Sequence, residues 1–414
     1  MPPADGARPA RPRVLHLSET ILARTETFIQ QRLEGDRFEP VVAGWVRATD
    51  GLDVPCPSLI LPDRVQRGGS GFASRAARRV TRPLVHAHRM LDLASLLVRA
   101  APTVVHAHFG TVGMTVAGVC ERLRIPLVVS FYGFDVGSVP RQRGGANPYT
   151  RLFSTAAALT AEGPALARSL MALGAPADAV KLLPLGFPAS LLAEPTPARF
   201  DGGAFNLLQI ARLVEKKGID VTLRGLASAR RAGVDARLVL IGDGPLRPEL
   251  EALIDELDVR AAVTLPGFVA HTALEPYFAR AHAYVQPSRT AADGDTEGGH
   301  PTVILEAQAR GIPVLATTHA DIPLVVRHGV SGLLGAENDH EALARHIASL
   351  AKEPRALAEM GEAARRSALR RHDPGTLRAL RERVYREAVR RYRRRRSPLP
   401  SVLAGRLRRD PFRV

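Results

Sequence analysis

The chain has 414 residues, 45% of them hydrophobic and 24% charged, which is enough material for two sizeable cores and too apolar for a disordered protein. Its formal net charge of +16 is concentrated at one end: between Arg365 and Val414 stand 18 arginines against Asp373, Glu382, Glu387 and Asp410, so the remainder is close to neutral. Two cysteines, Cys56 and Cys120, exclude a disulfide scaffold, and every apolar run is interrupted by Arg, His, Gly or Pro before it reaches membrane-spanning length.

In chain order, residues 1–12 are rich in Pro, Ala and Arg and are expected to be flexible. Val14–Leu17, Val41–Gly44, Val104–His108, Pro126–Ser130, Leu159–Ala161 and Val180–Leu183 are short apolar runs that predict buried strands, with helices at Phe28–Leu33 and Leu91–Ala100. A Pro- and Gly-rich stretch from Pro184 to Gly203 marks a linker. A second strand–helix alternation follows, with strands at Phe205–Ala211, Arg237–Gly242, Val263–Leu265, Ala283–Val285 and Pro313–Ala316. After Pro374 a long Arg-rich helix is expected to run to about Arg396. The pattern predicts an α/β protein with domains over 13–190 and 204–373, a linker at 191–203, a basic helix at 374–396 and a basic tail at 397–414. Parallel sheets of this kind bind ligands at the carboxyl ends of their strands.

Two segments carry the chemistry. Ile210-Ala211-Arg212-Leu213-Val214-Glu215-Lys216-Lys217-Gly218 puts Arg212 at a strand end and Lys217 just before a helix; a forked guanidinium and a compact ammonium together suit a diphosphate. The other runs from Asp293 to Leu315. Here Pro301 suits a first helical turn and Gly311 with Pro313 suits its end, while Gly298 and Gly299 would let backbone N–H groups turn towards an anion. Glu297 would sit in the turn. Glu306 would lie inside the helix, either exposed beside Arg310 or facing a cleft.

Glu297-Gly298 followed by Glu306-Ala307-Gln308-Ala309-Arg310-Gly311-Ile312-Pro313-Val314 resembles the Glu-x7-Glu segment of the family-4 glycosyltransferases, with eight intervening residues in place of seven. Arg212 to Gly218 is similar to that family's Gly-Arg-Leu-x-x-x-Lys-Gly stretch. Arg24-Thr25-Glu26-Thr27-Phe28-Ile29, His106-Ala107-His108-Phe109-Gly110 and Ser130-Phe131-Tyr132-Gly133-Phe134-Asp135-Val136 resemble its exopolysaccharide and colanic-acid branch. Tyr132 stands where many relatives carry a histidine, which leaves His108 as the expected polar group at the reacting centre.

The resemblance implies GT-B architecture: two Rossmann-like domains with parallel sheets facing across a cleft, and a C-terminal helix returning towards the N-terminal domain. It implies that Arg212 and Lys217 hold the donor diphosphate, and that Glu297 meets the donor sugar. Glu306 would meet the ribose beside Thr302, Gly298 and Gly299 would accompany Glu297 at the donor sugar, and Gly267, Phe268 and Val269 would meet the nucleobase. Glu26, Thr27, Tyr132, Gly133 and Asp135 would line the acceptor side. The implied reaction is retaining, metal-independent transfer from a nucleotide-diphosphate sugar, which serves as co-substrate with no cofactor, to a saccharide or lipid-linked acceptor in cell-surface polysaccharide synthesis. A sugar-nucleotide epimerase of the same fold and a basic nucleic-acid-binding protein are the alternatives. Aromatic residues are only 5% of the chain, which disfavours nucleic acid. The expected location is cytoplasmic. The run Arg390-Arg391-Tyr392-Arg393-Arg394-Arg395-Arg396 offers an anionic membrane surface its charge, with a lesser contact from Arg75, Arg78, Arg79 and Arg82; a solvated helix end is the plain alternative.

Overall fold

The computed structural model describes residues 11–35, 37–62, 75–193 and 198–396, with side-chain surroundings for all of these but 75–86 and 395–396. In the N-terminal lobe the strands are β1 (Arg13–Ile21), β2 (Glu39–Arg47), β3 (Ser58–Ile60), β4 (Val104–His108), β5 (Leu127–Ser130), β6 (Ala158–Ala161) and β7 (Val180–Leu182). They form one parallel sheet in the order β3-β2-β1-β4-β5-β6-β7. The C-terminal lobe holds β8 (Phe205–Ile210), β9 (Ala236–Ile241), β10 (Val263–Gly267), β11 (Ala283–Gln286), β12 (Val314–Thr317) and β13 (Gly332–Gly335), also parallel, in the order β10-β9-β8-β11-β12-β13. Strand order reverses beside β1 in one sheet and beside β8 in the other. A crevice opens at such a switch point, at the carboxyl ends of the strands.

Strands covered on both faces read as unbroken apolar runs, which is why the sequence locates the central ones. It misses β3 and β13. Both are short edge strands, and a strand paired on one side only needs no buried run: in β3, Leu59 and Ile60 are exposed. The central strands send alternate residues to opposite faces. Leu15, Val105 and Val129 enter the main N-terminal core, while Val14, Val104 and Val128 pack with Val384, Tyr385 and Ala388 of the C-terminal helix Pro374–Arg396. That helix therefore starts beyond the C-terminal sheet and closes the second face of the N-terminal one. Arg391 of the helix forms an ion pair with Asp178 at 2.6 Å.

The crossing between lobes falls at the start of the Pro184–Gly203 stretch, because Phe187 already belongs to a C-terminal core with Tyr284 and Ile304. Residues 194–197 of that linker, the expected flexible residues 1–10 and the tail 397–414 lie outside the described residues. So do the side chains of Arg75, Arg78, Arg79 and Arg82, in the helix Arg75–Ala100. No helix among the described residues is long and apolar enough to cross a membrane.

Candidate active site

A cavity of about 1180 Å³ lies between the lobes, walled by loops that leave the carboxyl ends of the strands. Glu26, Thr27, Tyr132, Gly133 and Glu162 line it from the N-terminal side; Arg212, Lys216, Lys217, Phe268, Val269, Glu297, Thr302 and Glu306 line it from the other. Residues spread over the whole sequence meet there because each follows a strand of a parallel sheet.

Glu297 is the electrostatic centre of the C-terminal wall. Lys217 Nζ donates to both of its carboxylate oxygens at 2.8 Å, and Ser288 Oγ donates at 2.7 Å. Burial alone would raise the carboxyl, but the Lys217 and Lys216 charges outweigh it and hold Glu297 at about 2. Lys216 donates to Asp295 Oδ1 at 3.0 Å and to the Thr296 carbonyl at 3.1 Å, pinning the loop before Glu297. The Glu297 amide donates to His319 Nε2, so that nitrogen accepts and Nδ1 carries the proton to Glu337 at 2.7 Å. Residues 298–301 separate Glu297 from the helix Thr302–Ala309. Pro301 is its extended N-cap residue and not part of the first turn. Both carboxylates reach one cavity.

Arg212 contrasts with its neighbours. It is exposed in the cleft, and among the described residues no carboxylate or hydrogen-bond acceptor meets its guanidinium. Arg24, by comparison, pairs with Asp50 at 3.1 Å and stacks 4.3 Å over the Phe268 ring.

Glu306 is buried, and its Oε2 lies 3.1 Å from His271 Nε2, a hydrogen bond that raises the imidazole's proton affinity. Glu306 does pair with Arg310, at 3.9 Å, but the pair is buried and not exposed. Every residue from Ile304 to Ala309 is buried, so the helix has no solvent face to separate, and Arg310 turns to Glu275 at 2.8 Å and to the Phe278 ring.

Several expectations need correction. His108 does not reach the cavity: it is fully buried on the sheet face under the C-terminal helix, with Nε2 3.0 Å from His16 Nδ1 and Nδ1 3.0 Å from the Tyr132 hydroxyl. Tyr132 stands between it and the cleft. Burial, with the neighbouring His16 and the Arg32 and Arg381 charges, keeps His108 neutral by lowering its proton affinity. His16, His106 and His108 bring ligand atoms within 4.8 Å of one another, but among the described residues the charges that act on them are the Arg32 and Arg381 guanidiniums, a poor setting for a cation. Asp135 is also buried, accepting from the amides of Gly110 at 2.9 Å and Tyr132 at 3.0 Å; it shapes the turn and does not face an acceptor. Glu26 does line the cleft, where burial pushes its carboxyl up to about 7. Gly267, at φ 80°, turns the chain so that Phe268 and Val269 reach the cavity, which it does not line itself.

Gly298 and Gly299 do not cradle an anion either. The Gly298 amide points to Thr296 Oγ1, and neither residue lines the cavity. They form the seam between lobes. A Cβ on Gly133 would overlap the Thr296 carbonyl oxygen, and a Cβ on Gly298, at φ 75°, would lie 2.5 Å from Gly133 itself. Backbones this close can only be glycine. Gly133→Ala is accordingly expected to hold the lobes apart, which small-angle scattering would register as a larger radius of gyration; an unchanged radius would refute this role.

Sequence reasoning missed Glu162, Asp295 and His271. The rule that located Arg212, a polar residue directly after a parallel strand, would also have found Glu162 behind Ala161.

Residues 194–367 match the family described as Glycosyl transferases group 1, and residues 32–186 match the Glycosyl transferase 4-like domain. The chain is 31% identical over 248 residues to WcaL of Escherichia coli K12, named for colanic acid biosynthesis, covering 59% of this chain and 61% of that one. It is 31% identical over 249 residues to the amylovoran biosynthesis glycosyltransferase AmsK of Erwinia amylovora, covering 59% and 60%. These matches thus span about three fifths of the relatives' length. In fold it is similar to HepE of Anabaena, solved with UDP and glucose, at a TM-score of 0.70 and 18% identity over 90% of this chain and 99% of that one. Sucrose-phosphate synthase of Thermosynechococcus elongatus is similar at a TM-score of 0.71 and 17% identity, over 91% and 99%. With a 4-like domain and a group 1 domain on paired parallel sheets facing one cleft, the chain belongs to the family-4 glycosyltransferases of GT-B architecture.

Proposed function

We propose that this chain is a retaining glycosyltransferase that moves a sugar from a nucleotide-diphosphate sugar to a saccharide or lipid-linked saccharide during exopolysaccharide assembly. The observation that carries this reading is the unpaired Arg212 guanidinium, which faces the same cavity as Lys217, Glu297 and Glu306. As the bond to the anomeric carbon breaks, negative charge grows on the departing diphosphate. Arg212, helped by the N-terminus of the helix Thr302–Ala309, would bind that charge more strongly than the ground state. Positive charge from the protein would do this without a metal ion.

Retention follows here from front-face displacement. Both oxygens of Glu297 are engaged by Lys217, and Ser288 adds a third bond, so the carboxylate is a fixed dipole for the donor sugar and a poor covalent nucleophile. The departing phosphate would then receive the acceptor's proton. That HepE was solved with UDP-glucose supports a nucleotide sugar as donor. A melting-temperature panel of sugar nucleotides, followed by product anomer analysis with chelator present, tests the reading. The expected result is one strongly stabilising donor and a product of unchanged anomeric configuration. No stabilising nucleotide, an inverted product, or donor consumption without acceptor, as in an epimerase, would refute it.

At the membrane we infer a purely electrostatic contact. The apolar side of the helix Pro374–Arg396 is used up on the N-terminal sheet, leaving Arg383, Arg386, Arg390, Arg393 and Arg394 exposed. Each cation near an anionic leaflet contributes about 1 kcal/mol, and salt screens it. The protein, working on the cytoplasmic side, is expected to co-sediment with phosphatidylglycerol vesicles at low salt, and to be released by high salt or by removing residues 397–414 together with replacing Arg390, Arg393 and Arg394 by Gln. Salt-resistant binding would point to insertion instead.

A further inference from the structure

We propose that Glu162 is a neutral hydrogen-bond donor to a hydroxyl oxygen of the acceptor saccharide beside the reacting centre. This rests on the glycosyltransferase reading of the cleft and adds to it a residue on the N-terminal wall. Glu162 follows β6 directly and is 6% exposed, yet it lines the cavity, and among the described residues its carboxyl makes no hydrogen bond. A carboxyl held this deep in a cleft, open to the cavity and without a protein partner, is placed to meet a polar group of a ligand.

The surroundings explain why it has no partner. Arg32 is engaged by Ser130 Oγ at 2.8 Å, and Lys216 by Asp295. From the opposite lobe Gly299 makes room: a Cβ there would overlap Glu162 Oε2. Burial pushes Glu162 up to about 8; Arg32 and Lys216 counter this, while Glu297 and Asp321 add to it. At neutral pH the group therefore carries its proton, and it can donate through O–H while repelling neither Glu297 nor a departing diphosphate. A protonated carboxyl cannot serve as the acceptor's base, a task left to the phosphate.

Its place in the N-terminal lobe, opposite the cations that follow β8, favours the acceptor over the donor nucleotide. Steady-state kinetics of the full-length protein, with the best donor and a saccharide acceptor, supply the test. Glu162→Ala should raise the acceptor KM about tenfold, the value of one hydrogen bond of about 1.4 kcal/mol, and leave the donor KM and the donor-induced melting shift in place. Glu162→Gln, which keeps an N–H donor, should recover much of that loss. Wild-type transfer should fall as pH rises through about 8, where the carboxyl ionises, and this alkaline limb should flatten in Glu162→Gln. A Glu162→Gln enzyme as impaired as Glu162→Ala, wild-type activity that climbs through pH 8, or an unchanged acceptor KM in Glu162→Ala would each overturn the proposal. A wild type that binds no sugar nucleotide and transfers nothing would overturn the reading of the cleft as well.

Discussion

Lys217→Met is expected to lower stability by about 3–5 kcal/mol, because it strands the Glu297 carboxylate in a buried site without its cation. For a lobe of this size that is a fall of roughly 10 °C in melting temperature. The side chains of Lys217 and Glu297 are only 16% and 7% exposed, so water cannot replace the lost partner. Removing both charges together, as in Lys217→Met with Glu297→Leu, should restore much of the stability and none of the transfer, which separates folding from chemistry. The pair also sets an acid limit. Glu297 is held at about 2, below the 4.5 of an unperturbed carboxyl, so its stabilisation is complete above 4.5 and is lost as pH falls towards 2. The double variant should be less sensitive to acid over that window. An unchanged melting temperature in Lys217→Met, measured at neutral pH, would mean the pair contributes nothing.

Arg212→Ala should reduce turnover about a hundredfold, the ~3 kcal/mol associated with one preorganised donor at a developing oxyanion. Unlike Lys217, Arg212 is exposed and makes no ion pair among the described residues, so its loss should leave the melting temperature in place. Arg212→Lys should fall between, since an ammonium restores the charge but cannot fork two phosphate oxygens. Near-normal kcat/KM in Arg212→Ala would remove the central support for diphosphate stabilisation.

The two variants differ in a way that sequence could not anticipate. Arg212 and Lys217 look alike as cations flanking a turn, yet one amine is committed to a carboxylate 80 residues away while the guanidinium remains available. Glu306 shows the same limit. Helical periodicity assumes one wet face, and in a helix buried on all sides the periodicity carries no direction. His108 closes a strand, where site residues gather, yet its side chain follows the pleat onto the face that the C-terminal helix covers.

What the residues determine by themselves is local and repetitive: apolar runs long enough for buried strands, a helix bounded by Pro301 and Gly311, and a motif whose spelling names a family. Those features survive because strand pleat and helix pitch act over a few neighbouring residues. Tertiary structure decided which charges pair, which glycines touch across the lobes and which carboxyl is left without a partner. Burial and electrostatics depend on groups distant in sequence, and in a low-dielectric cleft a separation of one or two ångströms decides whether a charge is held, free or neutralised.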